Sequence, residues 1–280
     1  MTTRRDYGLT LRRCIERLDQ QGSGRLAADV TGEDWQDVLI ELWGHLSAAT
    51  WNRNLAAVAT FLEWLGDAEV CTVRLPALCK ARKIHIDETK AEEREDLEFL
   101  WAPTVDLRER ALWRVLYESS SRAEAVLSLD VENVDLRRRR AKAVLKGGNT
   151  LWVHFEERGG ELLREYIGDR TSGPLWLTNR RPRNWRDRPA SDRSPDGRHY
   201  RLSYNRAARI IKTFSAKAVA VTLHILRHSR LTHLAEDGVD TPMLQAISGH
   251  TNPATLHRRY SKPTSRAVQK LFAQRSAAGP

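Results

Sequence analysis

The stretch from Thr222 to Tyr260, TLHILRHSRLTHLAEDGVDTPMLQAISGHTNPATLHRRY, leaves the chain little choice but a series of short, capped helices. Thr222 is an N-cap residue, and Leu223, Leu226, Leu231 and Leu234 give the apolar positions of an amphipathic helix ending near Gly238. Thr241-Pro242 opens a second helix, with proline at the tolerated first position, and Gly249 stops it. Asn252-Pro253 starts a third, which carries His257, Arg258, Arg259 and Tyr260. Residues three apart share a helix face, so His224 and Arg227 can reach one target, with His228 and Arg230 close by. Imidazoles, guanidinium groups and a phenol gathered between helix caps suggest a phosphate-handling site. The plainer alternative is a set of structural histidines and solvated arginines. A metal pair at His224 and His228 lacks the acidic residue and cysteines that would complete it.

The charge balance points the same way. The 280 residues carry a formal net charge of +10, and the basic excess is mostly arginine, whose planar fork donates two parallel hydrogen bonds to phosphate. Nucleic acid or an anionic membrane surface is the partner such a balance favours. No apolar run reads as a signal peptide or a membrane span, and Cys14, Cys71 and Cys79 have no C-x-x-C spacing. A reduced, cytoplasmic protein is expected. Neither a phosphate-binding G-x-x-x-x-G-K-[ST] loop nor paired cysteine ligands occur, so no cofactor and no metal are expected.

The chain is long enough for two domains, each with its own core. Residues 1–85 read as helical: LRRCIERLDQ, then Asp34 to about Leu46, then Ala48 or Ala49 to Leu65 with Gly66 as C-cap. Asn52, Arg53 and Asn54, on the polar side near the start of the third helix, could meet a DNA backbone or form a solvated face. The polar stretch 79–96 reads as a linker. Residues 86–280 begin with LEFLW and LRERALWRVLYES as helices, stopped by Ser119-Ser120-Ser121-Arg122. AEAVLSL follows as a helix, then a hairpin with alternation at Ala141, Ala143 and Leu145, a Gly147-Gly148-Asn149 turn and LWVHF, with VDL as a third strand. A small antiparallel sheet set among helices makes the second domain α+β and the whole chain mainly α. ERGGELLREYIG is helical, and RRPRNWRDRPASDRSPDGRHYR reads as an exposed loop. Its arginines, with Trp185 and Tyr200 interleaved, either track phosphates or belong to a mobile insert. Tyr204 to Phe214 is a helix whose start presents Ser203, Asn205 and Arg206 as readers of bases or phosphates.

The order H-x-x-R at His224–Arg227, G-H at Gly249–His250, then Tyr260 resembles the C-terminal signature of the tyrosine recombinase (phage integrase) family. Ser120-Ser121-Arg122 through Leu129 is similar to the family's G-L-R-x-x-E-L-x-x-L motif, and Lys146-Gly147-Gly148 fits its hairpin lysine. The S-x-x-T-x-N-R-x-L pattern of the third helix resembles the family's helical core-binding domain. The resemblance covers nearly the whole chain and implies a core-binding (SAM-like) domain over 1–85 and a catalytic domain over 86–280, the DNA breaking-rejoining enzyme fold. It implies Tyr260 as nucleophile, Arg122 and Arg227 as phosphate clamps, Lys146 as acid, His224 as acceptor of the tyrosine proton or holder of the phosphate, and His250 as a further hydrogen-bond donor to the phosphate. Asn52, Arg53, Ser203, Asn205 and Arg206 become DNA-contact candidates.

The implied activity is site-specific recombination through a 3′-phosphotyrosyl link, for integration, excision or dimer resolution. Implied too are inverted-repeat duplex sites, a homotetramer or heterotetramer on DNA, and a C-terminal tail around Val268, Leu271 and Phe272 that docks on a neighbour. Two departures stand out. Ala125 occupies the position of the family's acidic residue, with Glu124 one place earlier, and the step from His250 to Tyr260 is one residue longer than the commonest. Both favour the alternative of a DNA-binding protein with this fold and little or no cleavage. A type IB topoisomerase is a weaker third reading.

Overall fold

The computed structural model describes residues 2–21, 29–84, 91–144, 148–181 and 185–249, together with Leu256 and Phe272. The chain divides into two compact units, Met1–Ile86 and Asp87–Pro280.

The first unit packs α1 (Thr2–Gln21), α2 (Gly32–Trp43) and α3 (Ala48–Asp67) around Cys14, Trp35, Val38, Leu39, Trp51, Val58 and Leu62. Capping sets the helix starts. Thr31 and Asp34 form a reciprocal capping box at α2, and Ser47 accepts from the Thr50 N–H at α3. Gly66, expected to close α3, lies inside it; the helix runs to Asp67 and Ala68 caps it. The turn is made instead by Glu69, which takes the left-handed conformation (φ 55°). α1 begins well before the apolar pattern that announced it, at Thr2. Burial pushes the Cys14 thiol up to about 12, so it behaves as a small apolar core residue.

The second unit is built on α4 (Leu107–Ser119), which packs against α6 (Glu157–Ile167) and α8 (Leu223–Glu236). LEFLW is a 3-10 turn, Glu95–Trp101, which buries Leu97 and Leu100. α5 (Ala123–Leu127) leads into a three-stranded antiparallel sheet, β1 (Val134–Asp135), β2 (Arg140–Val144) and β3 (Thr150–His154), in the order β1-β2-β3. Register pairs Ala141 with Val153 and Ala143 with Leu151 on the inner face. The hairpin residues Leu145 and Gly147 lie outside the described residues.

The arginine-rich stretch before α7 (Tyr204–Ser215) is exposed over most of its described residues, as expected, but is anchored at Ser194, Tyr200 and Arg201. Tyr200 is fully buried, so it does not interleave with surface arginines. Isolated bridges join Leu177 to Arg201 and Arg193 to Tyr200, and Arg201 is paired with Asp130 and Asp192. The physical reason is that Trp176, Tyr200 and Leu202 bury enough apolar surface to hold the segment, which composition alone did not reveal. α9 (Thr241–Ser248) is capped by Asp240 and closed by Gly249 in the left-handed conformation (φ 63°). Leu231, Leu244 and Leu256 form a small apolar cluster joining α8, α9 and the next segment.

Candidate active site

α8 is unusual in burying polar side chains on its inner side: Arg227, His228, Ser229, Thr232 and His233 are all enclosed. Each such group requires a partner. His233 Nδ1 meets the Tyr117 hydroxyl at 2.9 Å, the Ser229 hydroxyl accepts from the Glu92 N–H at 2.9 Å, and Thr232 hydrogen-bonds the His228 carbonyl at 3.1 Å. Thr222 caps the helix, its hydroxyl accepting from the Ile225 N–H at 3.2 Å. The helix therefore has one rotation and one height against α4, which sets where Arg227 points.

Arg227, 5% exposed, donates from Nη1 to the carbonyl of Ser120. Ser120 is the cap of α4 and takes the left-handed conformation (φ 48°), which turns the chain sharply toward Arg122 at the start of α5. Arg122 is exposed, and its Nη1 donates to the Gly249 carbonyl at 3.3 Å. The end of α4, the middle of α8 and the end of α9 thus meet, with a left-handed helix cap at two of the three corners. His224 stands one turn before Arg227 on α8 with its side chain exposed. Lys146, His250 and Tyr260 lie outside the described residues; Gly249, just before His250, is held by Arg122. The expected third helix from Asn252 is described only at Leu256, which is helical and buried. In the expected tail only Phe272 is described, helical and exposed.

Two carbonyls, those of Ser120 and Gly249, receive the Arg227 and Arg122 guanidinium groups, and residue-type reasoning missed both. The signal for the second was the stop glycine; for the first there was only a run of serines after a helix. Ala125, at the position of the expected acid, is 2% exposed and belongs to the apolar core, while Glu124 is exposed. An acidic side chain at 125 would require burial with a partner.

The DNA-contact candidates divide. Asn52 is half-buried, and both ends of its amide are engaged: Nδ2 donates to the Arg82 carbonyl at 2.8 Å and Oδ1 accepts the Arg82 N–H at 2.7 Å. Asn54 is not on the polar side; it is buried, accepting from Thr10 at 2.7 Å and donating to the Thr50 carbonyl at 2.9 Å. Arg53 is exposed. Ser203 is the N-cap of α7 and half-buried, and Asn205 and Arg206 are exposed on the first turn. Among the described residues no group of three histidine, cysteine or acidic side chains could hold a metal ion, and no helix is long and apolar enough to cross a membrane.

Comparisons with known proteins agree on one family. Residues 89–266 match the phage integrase family. The tyrosine recombinase XerC of Mycobacterium sp. (strain JLS) is 28% identical over 273 residues, covering 90% of this chain and 85% of the relative. The tyrosine recombinase XerA of Thermococcus kodakarensis is 27% identical over 210 residues, 70% of this chain and 69% of that one. Among solved structures, the XerH site-specific recombinase bound to its difH substrate superposes with a TM-score of 0.65 at 17% identity, over 95% of this chain and 77% of that chain. The Tn1549 transposon integrase in complex with transposon right-end DNA gives 0.63 at 16% identity, over 96% and 93%. These two likenesses speak to the fold, a mainly helical one with a small antiparallel sheet. Since the family match spans well over half of the sequence, the chain belongs to the phage integrase family, the tyrosine recombinases.

Proposed function

We propose that this protein is a site-specific DNA recombinase that cuts and rejoins duplex DNA through a covalent 3′-phosphotyrosyl intermediate. One observation carries the reading at residue level. Arg227 is fastened to the Ser120 carbonyl, two residues from Arg122, so guanidinium groups far apart in sequence share one backbone turn.

Two such groups can grip the two non-bridging oxygens of a phosphodiester as negative charge develops on them. The Tyr260 phenol, with an ordinary pKa of about 10, requires that positive field or a base before it attacks. Its oxygen bonds to phosphorus, the bond to the 5′-oxygen breaks, and Lys146 gives that oxygen a proton. His224 takes up the phenol proton or steadies the phosphate, and His250 donates a further hydrogen bond. The phosphotyrosyl link retains the bond energy, so a 5′-hydroxyl from another strand reseals it with the protons moving in reverse. The chemistry needs neither nucleotide nor metal.

Residues 1–86 serve as the core-binding domain and 87–280 as the catalytic one, with Arg53, Asn205 and Arg206 on the DNA side. The working assembly is a tetramer on two inverted-repeat sites, within the cytoplasm. Asn52 acts indirectly, by fixing the Arg82 backbone.

A nicked duplex carrying the cognate site tests the reading in EDTA. The wild-type protein is expected to accumulate a covalent complex, and Arg122→Ala or Arg227→Ala to slow its formation by about 10²–10³-fold. Tight binding with no covalent complex would instead indicate a DNA-binding regulator.

A further inference from the structure

The chemistry above leaves unused the basic run Arg137-Arg138-Arg139-Arg140, which joins β1 to β2 at the end of the sheet away from the Val144–Thr150 connection. Pairing of Asp135 with Arg140 makes this a tight antiparallel turn, and Arg139 closes it in the left-handed conformation (φ 51°). Arg137, Arg138 and Arg139 are exposed. Arg138 pairs with Asp135 at 3.1 Å.

β2 continues the charge along one face. Ala141 and Ala143 point inward, which sends Lys142 outward, and register sets Lys142 opposite Trp152 and Arg140 opposite His154. Trp152 is 45% exposed, and the Arg140 guanidinium lies over its ring, 4.1 Å from the centroid. That stacking holds a planar donor in a fixed pose on an otherwise open face. Five cations, with Asp135 the one carboxylate of the turn, thus line one edge and one face of a rigid sheet. A merely solvated surface usually interleaves the two signs.

We propose that the outer face of this sheet, from the Arg137–Arg140 turn to Lys142 and Trp152, binds the phosphate backbone of duplex DNA flanking the segment that is cut. The proposal rests on the reading of the chain as a DNA strand-exchange enzyme and adds a second place where the duplex is held. The five residues of β2 rise about 17 Å. The contribution of the arginine turn is independent of base sequence and sensitive to salt.

The test measures affinity of the full chain for a random-sequence duplex between about 50 and 200 mM salt. Arg137→Ala/Arg139→Ala is expected to lower the slope of log K against log salt by about 1.8 and to weaken binding about tenfold. Arg158→Ala/Arg164→Ala, which removes two exposed charges from α6, is expected to leave the slope unchanged. An unchanged slope in the turn variant, or an equal fall in both variants, overturns the proposal. The parent reading fails separately, if the wild-type protein never forms a covalent complex on its nicked site.

Discussion

Ser120 pays a conformational penalty that a glycine would not. An L-residue in the left-handed region costs about 1–2 kcal/mol, and the Ser120 hydroxyl is also buried without a hydrogen-bond partner among the described residues. Ser120→Gly is therefore expected to stabilise the protein by about 1 kcal/mol, after allowing for the looser unfolded chain, while the carbonyl that anchors Arg227 is retained. Urea unfolding checks this; a loss of stability would mean that the serine side chain does something beyond the backbone. His233 is the other telling residue. Burial first, and then the nearby Arg94 charge, hold its imidazole below the ordinary value of 6.5. A depressed pKa means that the folded state disfavours the proton. The contribution of His233 is thus whole above pH 6.5 and is lost as pH falls through the folded-state value. The groups facing it are Tyr117, Arg94, Glu92, Glu93 and Glu236. Thermal unfolding should show a destabilisation on acidification that His233→Gln lacks; an identical acid response in the variant would exclude His233 as its source.

At the level of elements, α6 shows why a helix carries glycine at position 159. The Glu118 side chain of α4 is fully buried; Oε1 accepts from Arg114 Nε at 2.6 Å, and Oε2 accepts the Glu156 N–H at 2.8 Å, just ahead of α6. A Cβ on Gly159 would overlap Glu118 Oε2, which these bonds hold in place. Alanine is a better helix former than glycine by about 1 kcal/mol, but overpacking a held carboxylate costs about 1–3 kcal/mol. Gly159→Ala is therefore expected to destabilise, read as a lower urea midpoint at unchanged slope; a higher midpoint would show that the carboxylate gives way freely. The ends of α4, α7 and α8 were legible because their apolar spacing is local: α4 starts at Leu107 where the pattern begins, and at α8 the Thr222 cap agrees with it. The limits of α3 were not, since Gly66 fits inside the helix and tertiary packing carried it on to Asp67. Nor was the anchoring of 174–202, where buried Tyr200 and the Arg201 pairs depend on partners distant in sequence. At the candidate site the shared helix face of His224 and Arg227 was legible because a three-residue spacing is local, whereas Arg122 was singled out only through the family resemblance. The carbonyls of Ser120 and Gly249 were not legible, because a backbone acceptor leaves no mark on composition.

Across the whole molecule, two separate apolar cores, one in each unit, are joined to an excess of arginine that neither core requires. Such a chain binds a polyanion first through charge and then acts through a few fixed groups. What distinguishes an enzyme from a binder is the fate of one phenol. The most direct measurement digests the covalent complex trapped on a nicked duplex in EDTA and identifies by mass the peptide that retains the nucleotide. The mechanism requires the nucleotide on Tyr260 and no complex from Tyr260→Phe. A nucleotide on any other residue, or a complex that survives that substitution, would contradict it.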